Sequence, residues 1–172
     1  MNTRLDYIQQ KIVDYNTALE RIKIWRKESD KVVFTNGCFD IIHAGHVSYL
    51  SMSADLGNRL IVALNTDDSI KRQGKGQNRP VNNEEARSMV LASIAYVDLV
   101  VLFNEDTPIE IIKYIQPDVL VKGSDYDANE KNELAKTYIV GSKEVRSLGG
   151  DIITIPLLKG YSTTSIIERI KS

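Results

Sequence analysis

The chain has 172 residues, 42% hydrophobic and 26% charged, with a formal net charge of −1. That profile fits one globular domain with a sizeable core and carries no basic field of the kind that holds nucleic acid. One cysteine excludes an internal disulfide framework, no apolar run approaches the ~20 residues that span a bilayer, and the charged opening MNTRLDYIQQ lacks a signal-peptide core; a cytoplasmic protein with no membrane partner is expected.

Residues 1–30 read as a helical lead-in that packs on the main domain or a second subunit. Leu5, Ile8 and Ile12 share one face, and after a break at residues 15–17, Leu19, Ile22 and Trp25 repeat the spacing. The main domain then runs over residues 31–172. KVVFT (31–35) reads as a strand, and HVSYLSMSADLG (46–57) as a helix stopped at Gly57. RLIVALN (59–65) is the next strand, and NNEEARSMVLASI (82–94) a helix with acids at its start. VDLVVLF (97–103), DVLVKG (118–123) and DIITIPL (151–157) are further strands, and TPIEIIKYI (107–115) and SKEVRSLGG (142–150) further helices. NEKNE (129–133) suggests a surface helix, and STTSIIERIKS (162–172) closes the chain as a Ser/Thr-capped helix. Strands alternate with helices and are nearly continuously apolar. The expected fold is α/β: a Rossmann-like, doubly wound parallel sheet of about five strands with helices on both faces.

Such sheets bind ligands beyond the carboxyl ends of their strands. After the first strand come Asn36, Gly37 and Cys38, then His43 and His46. Asn65 and Asp67 follow the second strand; Lys122, Gly123 and Asp125 follow the fourth; Ser162, Thr163 and Thr164 follow the last. His43-Ala44-Gly45-His46 opens a helix, where free N–H groups and the dipole favour phosphate, and Gly45 admits close approach. A second Ser/Thr-capped helix start on the same edge implies a polyphosphate, hence a nucleotide. Cys38, His43 and His46 supply only three soft ligands where a structural zinc wants four, so no protein-only metal site is expected. In KRQGKGQNR (71–79), Lys71, Lys75 and Arg79 are either a solvated loop or contacts to phosphate. Arg87 is otherwise a surface ion pair, and Asp40 a brace for its loop.

NGCFDIIHAGH with its HxGH motif, paired with the terminal STTSI, resembles the cytidylyltransferase-like nucleotidyltransferases from about Lys31 to the C-terminus. VVFTNGCFDIIHAGHVSYL, NRPVN (78–82), DVLVKGSDY (118–126), GSKEV (141–145) and GYSTTSII (160–167) are similar to the bacterial D-glycero-β-D-manno-heptose 1-phosphate adenylyltransferases, in a stand-alone form. The resemblance implies transfer of AMP from ATP to a sugar 1-phosphate, with Mg²⁺ on the ATP phosphates and a homodimeric state. It implies catalytic roles for His43, His46, Lys75 and Arg87. The nucleotide would meet Thr35, Asn36, Gly37, Cys38, Phe39, Gly45, Lys122, Gly123, Ser162, Thr163 and Thr164 as well as the histidines. Asn65, Asp67, Lys71, Arg79 and Asp125 would hold the acceptor. Two departures stand out: Ile167 occupies the place where the family's last motif often has Arg or Lys, and residues 127–140 look like an insertion. Glycerol 3-phosphate with CTP, a nucleotide-binding regulator without turnover, and a zinc-binding module are the alternatives.

Overall fold

The five expected strand segments form β2 (Val32–Gly37), β3 (Arg59–Asn65), β4 (Leu99–Phe103), β5 (Val119–Gly123) and β6 (Asp151–Ile155) of a computed structural model, which describes residues 3–74 and 79–171. A sixth strand, β1 (Ile12–Val13), pairs with Val100 and Val101 at one edge. It is too short to show a period and lies inside what reads as helical spacing. The sheet order is β1-β4-β3-β2-β5-β6, and every pair is parallel.

Successive strand residues face opposite sides and both sides are covered, which is why the strands are apolar throughout. Phe34, Ile61, Val101 and Leu120 pack with Ala18 and Ile22 of α2 (Tyr15–Lys27), with Ile111, Ile112 and Ile115 of α6 (Ile109–Ile115), and with Val145 of α7 (Ser142–Ser147). Their neighbours Val33, Val62, Val100 and Val121 pack on the other side with Tyr49 and Leu50 of α3 (Ala44–Ala54) and Leu91 and Ala92 of α5 (Glu84–Ala92). Two carboxylates lock the strand starts: Val32 N–H donates to Asp118 at 2.7 Å, and Leu60 N–H to Asp98 at 2.8 Å. The turn into β3 needs glycine, since a Cβ at Gly57 would lie 2.6 Å from the Lys31 carbonyl oxygen.

α1 (Arg4–Gln9) precedes β1, and α8 (Thr163–Lys171) ends the described chain. A further helix, α4 (Asp67–Arg72), follows β3. Its signals are present in Thr66 as cap, two acids in the first turn and two bases in the last, but six residues are too few to establish a helical period. The surface helix expected at 129–133 does not form. Side chains capture the amides instead: Asp127 accepts from Asn129 N–H at 2.8 Å, and Glu130 accepts from Lys131 and Asn132 N–H at 2.8 Å each. Asn and Asp side chains that offer the backbone such local partners compete with helix formation.

The chain runs β2, β3, β4 toward one edge and β5, β6 toward the other. β2 and β5 are adjacent, and the crevice of such a sheet opens where the direction of winding reverses.

Candidate active site

A cleft of about 600 Å³ opens at that point. Its floor is the strand ends: Asn36, Gly37 and Cys38 after β2, Asn65 after β3, Lys122 and Gly123 after β5. Lys122 Nζ donates to the Asn36 carbonyl at 3.2 Å and lies 5.5 Å from the Tyr126 ring centre, which ties the two central strands together and leaves a cation in the floor. Gly123 has no room for a side chain, because a Cβ would sit 2.6 Å from an Asp125 carboxylate oxygen.

One wall is the start of α3. His43 is its N-cap, and its Nδ1 accepts from the His46 N–H at 3.3 Å. A neutral imidazole that accepts at Nδ1 carries its proton on Nε2, so this cap makes His43 a donor from the other side of its ring. The His43 and His46 rings stack at 3.9 Å and 18°, and Phe39 packs on His46 at 5.3 Å. Burial lowers the pKa of His43. Burial, reinforced by the neighbouring His43 and opposed by the Ile41 backbone, lowers that of His46 to about 4. Both rings are therefore neutral at pH 7, and His43 carries its N–H beside the free amides of a helix N-terminus.

The start of α8 lies close by. A Cβ on Gly45 would meet the His43 ring at 3.0 Å and the Tyr161 Cβ at 3.2 Å. Tyr161, Ser162 and Thr163 line the same cleft as His43 and His46, and Ser162 caps α8 by accepting the Ser165 N–H at 3.0 Å. Two helix N-termini thus open into one cavity with a histidine pair at the first.

The histidine pair also has a stability signature. Both folded pKa values lie below the free value of 6.5, so between that value and about 4 the unfolded chain binds more protons than the folded one. Stability therefore rises with pH across this window and is lost as pH falls through it. Urea midpoints measured at pH 7.5, 6 and 5 should fall in that order for the native chain and fall less for His46→Asn. Equal slopes would show that His46 does not contribute.

Several residues expected at the site have other work. Arg79 is not among the lining residues; its Nε is 2.6 Å from Asp40. Asp40 is fully buried and also accepts from Val81 and Asn82 N–H at 2.9 Å, so the bracing role applies to it. Arg87 is neither a cleft group nor a surface ion pair but a buried clamp. Its Nη1 donates to the Cys38 carbonyl at 2.7 Å, Nε to the Asn82 carbonyl at 3.0 Å, and Nη2 to Asp67 at 2.6 Å. Thr35 is fully buried, with its hydroxyl 2.7 Å from that of Tyr49. Lys71 pairs on the surface with Asp68 at 3.1 Å, and neither it nor Thr164 lines the cleft. Lys75 lies outside the described residues.

Other lining residues carried no sequence signal that singled them out. Asp106, Thr107 and Pro108 follow β4, where the post-strand rule applies equally, but TPIE reads first as a helix start. Tyr138 and Val140 come from the segment that looks like an insertion, which thus forms part of the rim. Tyr49 sits three residues after His46, on the same helical face. The Cys38 thiol faces the Asn65 and Gln73 side-chain oxygens at 3.8 and 3.7 Å. Among the described residues, no group of three or more His, Cys, Asp and Glu side chains is placed to hold a metal ion. No described helix is long and apolar enough to cross a membrane.

Comparison with known proteins identifies the family and the fold. The cytidylyltransferase-like family model matches residues 34–169. Bifunctional protein HldE of Koribacter versatilis is 45% identical over 161 residues, which are 94% of this chain and 31% of that protein. Bifunctional protein HldE of Vibrio cholerae serotype O1 is 49% identical over 160 residues, 93% of this chain and 32% of its own. The chain spans about a third of the length of these curated relatives. Among solved structures, the lipopolysaccharide core biosynthesis protein from Thermoplasma volcanium superposes with a TM-score of 0.57 at 26% identity, covering 77% of this chain and 99% of that one. Pantothenate synthetase from Thermus thermophilus shares the fold alone, at 12% identity and a TM-score of 0.61 over 94% of this chain and 70% of that one.

Proposed function

The chain belongs to the cytidylyltransferase-like family, and from that premise we propose that it transfers AMP from ATP to D-glycero-β-D-manno-heptose 1-phosphate, releasing pyrophosphate. The observation that carries the reading is the pair of helix N-termini, α3 with its stacked histidines and α8 with Ser162 and Thr163, opening into one cleft at the switch point of the sheet. Such ends bind anions through free backbone N–H groups, and two of them suit a triphosphate. The acceptor is argued from sequence: DVLVKGSDY and GYSTTSII carry the likeness to heptose 1-phosphate adenylyltransferases, and the HldE relatives share 44–49% identity with this chain.

In the reaction an acceptor phosphate oxygen forms a bond to the α-phosphorus of ATP, and the bond from that phosphorus to the bridging oxygen breaks. The electron pair leaves with pyrophosphate, and no proton need move. Positioning and charge stabilisation are then the whole task. His43 and His46, neutral at pH 7, donate N–H bonds to phosphoryl oxygens as charge builds up. Ser162 and the α8 amides hold the outer phosphates, and the backbone of Gly37, Cys38 and Phe39 borders the nucleotide. Asn65 and Asp125 face the acceptor, and Lys122 adds positive charge in the floor. Mg²⁺ takes oxygen ligands and is often held by one or two carboxylates together with substrate phosphates; Asp125, which lines the cleft, offers a carboxylate for that donor set. When bound, the ion would neutralise charge on the departing pyrophosphate. The resemblance also implies a homodimer, which light scattering tests as a particle of twice the chain mass.

The deciding experiment is a pyrophosphate-release screen of ATP and CTP against heptose 1-phosphate and glycerol 3-phosphate, each with Mg²⁺. Release with ATP and heptose 1-phosphate alone is expected. Preference for CTP and glycerol 3-phosphate would overturn the substrate assignment. Tight ATP binding with no release from any acceptor would make the protein a nucleotide-binding regulator.

A further inference from the structure

A guanidinium is buried directly beneath the loop that follows β2. The Arg87 side chain has no solvent exposure, and its three hydrogen bonds go to three separate parts of the chain. The Cys38 carbonyl belongs to the loop after β2, the Asp67 carboxylate to the start of α4 after β3, and the Asn82 carbonyl to the approach to α5. Glu84 reinforces the joint by accepting the Asp67 N–H at 2.7 Å. On its other side the β2 loop is held by Asp40, which takes the Val81 and Asn82 N–H groups at 2.9 Å and returns its own carbonyl to the Asn82 amide at 2.9 Å. Between these two anchors Phe39 adopts φ +41°, a region that residues with a side chain rarely occupy.

We propose that Arg87 is a positioning residue for the β2 loop. By fixing the Cys38 carbonyl it holds the turn through Phe39 and Asp40, and so sets where His43 and His46 stand, without touching substrate itself. This rests on the nucleotidyltransferase reading of the cleft. A buried charge is not required merely to seat α5, because an apolar side chain would pack there without the desolvation cost. What an apolar side chain cannot do is reach three oxygen acceptors in different directions, which is the property of the planar guanidinium fork; a lysine has one nitrogen and no fork.

The test is Arg87→Lys in the full chain, followed by turnover and by amide hydrogen exchange without ligand. The variant should fold, lose about 10²-fold in kcat as misplaced catalytic groups do, and change KM for ATP far less. Exchange should speed up at Val81 and Asn82, whose amides report the β2-loop anchor, and stay unchanged along β3. Unchanged kcat and KM would overturn the proposal. So would lost turnover with unchanged exchange at Val81 and Asn82, since that would mean direct contact with substrate. If the native chain itself neither binds ATP nor releases pyrophosphate, the reading of the cleft fails, and the exchange result alone decides whether Arg87 positions the loop. Asp67→Asn, which keeps the Cys38 and Asn82 contacts, covers the case of an unfolded lysine variant: both readouts should move the same way by a smaller factor, and no movement in either would refute the role.

Discussion

His46→Ala is expected to leave the fold intact and to lower turnover by about 10²–10³-fold, the usual cost of removing one preorganised donor from a transition state. The physical case starts from its surroundings. His46 lies in the first turn of α3, stacked on His43 at 3.9 Å and against Phe39 at 5.3 Å. Burial keeps the ring neutral, with a pKa of about 4, so it offers an N–H at pH 7 without the desolvation cost of a buried cation. Its loss removes a donor, while the His43 cap loses nothing, since His43 accepts from the backbone N–H of residue 46 and not from its side chain. Circular dichroism and thermal unfolding establish that the variant is folded; pyrophosphate release under saturating ATP measures the loss. In the proposed role the donor acts on charge that develops during the reaction, so kcat should fall more than ATP affinity. A variant with native turnover would show that the histidine pair is structural.

Asp40→Ala should have the largest effect on stability. The carboxylate has no solvent exposure and meets Arg79 Nε at 2.6 Å and the Val81 and Asn82 N–H groups at 2.9 Å. Truncation leaves two backbone donors and a largely buried guanidinium without their acceptor. Removing one partner of a buried ion pair typically costs about 3–5 kcal/mol. Urea unfolding should show a midpoint shift of that size, accompanied by weaker ATP binding, because the same carboxylate holds the β2 loop in place. Asp40→Asn keeps one acceptor oxygen and the shape but drops the charge, so it should fall between the native chain and the alanine variant. A loss below about 1 kcal/mol for alanine, the value of an ordinary hydrogen bond, would show that the loop holds itself without this carboxylate.

Much of this molecule was legible in its sequence. Alternating apolar and amphipathic segments specify a parallel α/β sheet, because strands covered on both faces must be apolar throughout and crossovers must be helical. Looking just after the strands singled out Asn36, Gly37, Cys38, Asn65, Lys122, Gly123, Asp125, Ser162 and Thr163, all of which line the cleft. The spacing of His43 and His46 at a helix start already implied the shared direction that the stacked rings show.

Tertiary structure alone decided the roles of the charged residues. The same sequence features in 71–87 read equally as phosphate contacts or surface charges, yet Arg79 turns to Asp40 and Arg87 to Cys38, Asn82 and Asp67. Those partners lie up to 49 residues away along the chain. Periodicity and capping are local, so a sequence displays them directly. Whether a cation ends in solvent, on a ligand or in a buried pair depends on which distant acceptors the folded sheet brings within hydrogen-bond reach, and on how much solvation it must give up to get there. The two-residue strand at Ile12–Val13 and the tyrosine of the cleft rim at position 138 were decided in the same way, by an open edge on β4 and by space beyond the strand ends.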